Sequence, residues 1–135
     1  RVVEVEDGHI YFRMHPAVRE AYGRAIDTPE EAAEAGYRAE ADLEDGDGID
    51  VGGYRIYRKG NRICTDRSLT AGNDRECRMQ FETPKMKRGG HVEILVDSNL
   101  IEVFVNDGEY VISNAVYGIG NEIVSDRKVK LFTVE

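Results

Sequence analysis

The 135 residues suit one domain with a core of its own. A third of them are charged, the net charge is −8 and the pI is about 4.9, which excludes nucleic acid and anionic membrane as partners, because both call for a basic patch. No apolar run approaches the ~18–20 residues of a membrane-crossing helix, and no secretory leader opens the chain, whose start at Arg1 is that expected of an excised piece.

Val2–Glu6 alternates apolar and acidic residues, Asp7-Gly8 supplies a tight turn, and His9–Phe12 returns, so a β-hairpin is expected. After His15-Pro16, the alternation of Val18, Glu20 and Tyr22 reads Ala17–Ile26 as an extended arm, although Ala-Val-Arg-Glu-Ala is also compatible with a helix. Thr28–Gly36 carries the signature of a short helix: Thr28 as N-cap, Pro29 at the first helical position, Glu31 completing a capping box and Gly36 as the stop. At two turns this is a connector.

From Tyr37 onward the pattern is β: strands over Tyr37–Leu43, Tyr54–Lys59, Arg62–Thr65, Glu76–Glu82 and Lys128–Val134, with an acidic Gly-rich loop at Glu44–Asp50 and further loops at Ser68–Asp74 and Thr83–Gly90. The clearest stretch is His91–Tyr117. Val92–Val96, Leu100–Val105 and Glu109–Val116 are separated by Asp97-Ser98-Asn99 and Asn106-Asp107-Gly108, the punctuation of a meander. Gly108 is expected in the left-handed conformation that closes a three-residue hairpin loop. Short strands at this spacing predict an all-β fold, a β-sandwich of two antiparallel sheets of jelly-roll or concanavalin-like kind, with one connector helix near 29–35. Residues 1–36 form a lead-in segment and 37–135 the sandwich.

Alternation puts Ile101, Val103 and Val105 on one face and Leu100, Glu102 and Phe104 on the other. Glu102, between two large apolar neighbours, needs a cation or several donors. It is either half of a structural ion pair or a ligand-facing acid, with an arginine as partner in both cases. Asp66-Arg67-Ser68 sits where a strand gives way to a loop, and Arg67 offers a planar fork of donors suited to a carboxylate or to vicinal sugar hydroxyls. If Arg67 meets Glu102, then Asp66, Arg67 and Glu102 form either a salt bridge tying two strands together or a carbohydrate-binding trio.

Other chemistry is sparse. Asp45, Asp47 and Asp50 fail the calcium-loop pattern, because the sixth position from Asp45 is Asp50 and the twelfth is Ile56. His9, His15 and His91 lack partners at metal-ligand spacing, so no metal and no cofactor is expected. Cys64 and Cys77 read as buried thiols in strands, with a single disulfide as the exported alternative. Composition leaves the compartment undecided, a cytoplasmic setting being slightly favoured over a secreted one.

The run VDSNLIEVFVNDGEYVISNAVY (Val96–Tyr117) resembles the signature of the C-terminal β-sandwich of glycoside hydrolase family 32, the invertases, fructanases and sucrose-6-phosphate hydrolases. CTDRSLTAG (Cys64–Gly72) is similar to a second hallmark of that domain, and RVVEVEDGHIYFRMHPAVREA (Arg1–Ala21) to the segment that joins the family's propeller to its sandwich. The chain departs from the pattern between Leu43 and Asp66, where an acidic Gly-rich turn stands in place of part of a strand pair. The resemblance implies a partner, the N-terminal five-bladed propeller, which carries the family's catalytic carboxylates in Asn-Asp-Pro-Asn, Arg-Asp-Pro and Glu-Cys motifs. No Asp-Pro occurs here, and Glu76-Cys77 without its companions reads as coincidence, so no catalytic residue is expected. The implied role is a non-catalytic module that stabilises the propeller and helps form an oligomer. The alternative is a module that binds fructan or a sucrose-type carbohydrate.

Overall fold

The computed structural model describes residues 1–72 and 76–135, so the expected loop at 68–74 lies partly outside the described residues. Two antiparallel sheets pack face to face, and an N-terminal hairpin and two short helices are added to them. The hairpin is β1 (Val2–Glu6) with β2 (His9–Arg13). Next come α1 (Pro16–Ala21), β3 (Arg24–Ile26) and a 3-10 helix at Pro29–Ala35. The remaining strands are β4 (Tyr37–Asp42), β5 (Gly48–Val51), β6 (Tyr54–Lys59), β7 (Arg62–Asp66), β8 (Gln80–Glu82), β9 (His91–Asp97), β10 (Leu100–Val105), β11 (Tyr110–Ala115), β12 (Ile123–Ser125) and β13 (Lys130–Thr133). One sheet runs β11-β10-β9-β4-β13-β3 and the other β12-β5-β6-β7-β8.

The core lies between the sheets and follows the period-two rule. Ile101, Val103 and Val105 of β10 meet Ile94 and Val92 of β9 on one side and Ile49, Val51, Tyr54, Ile56 and Ile63 of the second sheet on the other. Inside it, the Tyr54 hydroxyl donates to Asn114 Oδ1 at 2.6 Å, which satisfies two polar groups that burial would otherwise penalise.

Several local expectations are corrected. Pro16–Ala21 is helical, because Pro16 stands at its start and His15 Nδ1 accepts the Ala17 N–H at 3.0 Å, capping it; only Arg24–Ile26 of the expected arm is extended. The expected connector helix does form, over Pro29–Ala35, as a 3-10 helix with Glu31 Oε2 accepting the backbone N–H groups of Asp27 and Thr28. Glu31 is held below its ordinary value by those donors. Part of the acidic loop is strand β5, whose Ile49 and Val51 are buried while Gly48 and Asp50 face out; it pairs fully with β6, so no strand of that pair is missing. Glu76 and Cys77 precede strand β8, which covers only Gln80–Glu82. Cys64 is a buried free thiol, its pKa raised by desolvation. The loop after β10 has four residues, not three: Val105 pairs with Tyr110, Asn106, Asp107 and Gly108 all have positive φ, and Glu109 completes it. Asn106 sustains this conformation by accepting the His91 N–H and donating to Arg88 O and Glu109 Oε1.

Candidate functional site

Asp66 closes β7, where its Oδ1 accepts the Ser68 N–H at 2.8 Å and its Oδ2 accepts from Gln80 Nε2 at 3.2 Å. The Ser68 donor, with Arg55 opposite in register, holds its pKa below the ordinary value. Arg67 donates Nε to Arg78 O at 2.7 Å and Nη1 to Ala115 O at 3.2 Å, so it clamps the approach to β8 in one sheet to the edge strand β11 of the other. Glu102, on the outer face of β10, takes Arg1 as its cation, with Nη2 at 2.6 Å and Nε at 3.1 Å, and accepts the Ser113 hydroxyl at 3.1 Å. The expected contact of Arg67 with Glu102 is therefore replaced by Arg1, brought there by the hairpin. The three aspartates of the Gly-rich segment each cap a separate backbone N–H: Asp45 that of Gly60, Asp47 that of Glu44, and Asp50 that of Gly53.

Because Asp66 is held below its ordinary value, its charge stabilises the fold above about pH 4, and that contribution is lost as pH falls through the lowered value. Asp66→Asn, which keeps the turn and removes the charge, is expected to lower the melting temperature at pH 7. In melts taken across pH, the gap to the parent should close at the acid end.

Four large apolar side chains are exposed together on the hairpin. The register pairs Val3 with Phe12 and Val5 with Ile10, and these four share one face and are 62%, 39%, 72% and 50% exposed. The opposite face is polar. Arg13 there pairs with Glu4, Glu6 and Asp107, and His9 Nε2 lies 2.7 Å from Glu109 O. Gly108 seats this polar side on the sandwich, since a Cβ there would lie 2.5 Å from Phe12 O. Ile10 and Phe12 also wall a groove of about 740 Å³, whose other side is Phe81 and Pro84 and whose floor is β11. A two-stranded ribbon that turns its charges inward and its apolar pairs to solvent has the polarity of an interface. No single residue marks this in the sequence. The alternation of valine with glutamate in β1 reveals two faces without revealing which is covered.

The family model for the C-terminal region of glycosyl hydrolases family 32 matches residues 18–134. The chain belongs to glycoside hydrolase family 32. Among solved structures, this family 32 domain is similar to a sucrose-6-phosphate hydrolase from Lactobacillus gasseri, with 17% identity and a TM-score of 0.74, over 98% of this chain and 32% of that one. A family 32 glycoside hydrolase from Bifidobacterium adolescentis gives 21% and 0.71, over 98% and 25%, and a family 32 β-fructofuranosidase of Bombyx mori gives 16% and 0.63, over 98% and 32%. At these identities the likeness shows the fold. The family 32 domain thus spans a quarter to a third of the length of the proteins it matches in structure. No curated protein sequence matches it.

Proposed function

We propose that this domain is the non-catalytic C-terminal module of a β-fructosidase-type hydrolase, and that it holds and stabilises the catalytic propeller through the exposed face of its hairpin. The observation that carries this is the outward Val3, Val5, Ile10 and Phe12 quartet on a ribbon whose other face pairs Arg13 with Glu4 and Glu6 of the same hairpin and with Asp107 of the sandwich. Full burial of side chains of this kind is worth about 1.5–3 kcal/mol each. A short tether to the propeller makes even partial burial effective, because the second contact becomes intramolecular. In this reading residues 1–36 link the two units and 37–135 form the sandwich proper, with β3 lending it an edge strand. The competing reading, a fructan-binding module using Asp66, Arg67 and Glu102, is favoured less. Their hydrogen bonds already go to Ser68, Gln80, two backbone carbonyls, Arg1 and Ser113.

Val5→Asp tests the docking. In the isolated domain Val5 is mostly exposed, so the melting temperature should barely move. In the complete hydrolase the same change should lower the melting temperature by several degrees and cost activity through loss of folded enzyme. An equal response in both settings would refute docking through this face.

A further inference from the structure

The two sheets of the sandwich present four edge strands among the described residues, and three of them are blunt. β3, β8 and β12 have three residues each, and β3 and β8 carry a charge, Arg24 and Glu82. The fourth, β11, has six residues, Tyr-Val-Ile-Ser-Asn-Ala, with no charge and no proline. A long uncharged edge is a template for another strand, and proteins ordinarily shorten it, charge it or cover it.

The parity of the ladder decides which backbone groups are on offer. The Val116 N–H donates to Asn99 O at 2.9 Å, one step past the Leu100–Ala115 pair, so the even-numbered residues of β11 turn their backbone groups to β10. Val111, Ser113 and Ala115 turn theirs outward. Both ends of this outward row are taken: Ala115 O accepts from Arg67 Nη1 at 3.2 Å, and Glu109 O lies 2.7 Å from His9 Nε2. Between them, the N–H and C=O of Val111 and of Ser113 have no backbone partner among the described residues. Both residues line the groove between the hairpin and β8. Tyr110, Ile112 and Phe81, which belong to the core or pack against it, line the same groove, so the sandwich is open along this edge.

We propose that an extended segment of the propeller adds to this edge as a seventh strand of the six-stranded sheet, pairing its backbone with Val111 and Ser113 and setting alternate apolar side chains between Ile112 and Phe81. Strand addition of this kind takes its affinity from main-chain hydrogen bonds and its selectivity from the pockets that alternate side chains enter. The inference rests on the docking proposed above and specifies how it is made. Two features name the propeller as the occupant. Ile10 and Phe12 belong to the outward face of the hairpin and also wall the groove, so a body seated on the hairpin meets the edge strand as well. Arg1, where the propeller would join, lines the groove and is held there by Glu102 and the Ser113 hydroxyl, so the tether delivers its partner to the open edge.

The test is hydrogen exchange over β11, read by mass spectrometry in the 135-residue chain and in the complete hydrolase. In the chain alone the Val111 and Ser113 amides are expected to exchange freely, while those of Ile112 and Asn114, bonded to β10, are slow. In the hydrolase all four should be slow, the first two by at least about a hundredfold. Ser113→Pro removes the outward N–H at an edge position that tolerates proline, and Ser113→Ala controls for the lost hydroxyl. The gap in melting temperature between these two variants should be small in the chain and several degrees wider in the hydrolase. Fast Val111 and Ser113 amides in the hydrolase overturn the proposal, as does an equal gap in both settings. So does protection that appears in the chain alone as its concentration rises, since a second copy would then hold the edge. Val5→Asp keeps the two readings apart: if it destabilises only the hydrolase while the β11 amides stay fast, docking through the hairpin stands and strand addition falls.

Discussion

Glu93→Ala is expected to cost the domain about 3–5 kcal/mol, the usual loss when one member of a buried charge network is removed. Glu93 is 5% exposed on the outer face of β9. Its carboxylate takes a two-pronged contact from Arg19 of α1, Nη2 at 2.7 Å and Nε at 3.0 Å, and a third from Arg38 Nη1 at 3.4 Å. Arg38 is itself buried, stacked over the Phe132 ring, and also holds Glu40 at 2.9 Å, the residue directly opposite Glu93 in register. Two carboxylates side by side on paired strands repel unless a guanidinium lies between them. Without Glu93, the more exposed Glu40 is the one carboxylate Arg38 keeps, beside the Tyr22 carbonyl and the Phe132 ring, and Arg19 loses its two-pronged contact with the sheet. A domain of this kind has about 5–15 kcal/mol in total, so the change takes a third or more of it. Urea denaturation of the purified domain reads the loss. Glu40→Ala, whose side chain is 25% exposed, should cost clearly less. Replacing Arg19, Arg38 and Glu93 together by leucine and methionine should recover most of the loss, because well-packed apolar side chains need no compensating charge. A Glu93→Ala loss below about 1 kcal/mol would show that the network is not what holds the helix.

Gly36→Ala carries the second large effect, about 3 kcal/mol. The residue has φ of 79° and ψ of 177°, a region closed to any side chain, at a strain of about 1–3 kcal/mol. A Cβ there would also lie 2.5 Å from Val96 O, a backbone atom of β9 that cannot step aside without disturbing the sheet. The Gly36 carbonyl accepts the buried Thr133 hydroxyl at 2.9 Å, so the position ties the 3-10 helix to both β9 and β13. Gly60→Ala is the control. Its φ is 61° and its Cβ would meet nothing within 4 Å, so only the left-handed penalty of about 1–2 kcal/mol applies. If thermal melts show the two variants equally destabilised, backbone strain alone accounts for Gly36 and the close approach to β9 contributes nothing.

The same glycine shows how far a linear reading reaches. Its role as a helix stop follows from the Thr28–Glu31 capping pattern upstream. The reason only glycine serves is the carbonyl of Val96, sixty residues away. The hairpin at Val2–Arg13 and the meander from His91 to Ala115 were legible because period-two alternation and Asp-Gly or Asn-Asp-Gly turns are local properties of the chain. β5 was hidden because its outward positions are Gly48 and Asp50, residues that read as loop. Pro16–Ala21 was misread because its cap is a histidine, outside the usual N-cap set. Glu102 stood out in sequence as an acid between Leu100 and Phe104. Glu93, between Val92 and Ile94, gives the same signal.

What the sequence determined by itself was therefore the all-β class, most strand positions, the family resemblance and the need of Glu102 for a cation, all of them consequences of neighbours along the chain. Tertiary structure alone decided that the cation is Arg1 and that Arg67 instead clamps the two sheets. It alone decided that the hairpin turns its charges inward, and that the outer edge of β11 floors the groove beside it. These are long-range pairings, and in a sandwich built from distant strands the register that creates them depends on how the sheets close over their core rather than on any one segment.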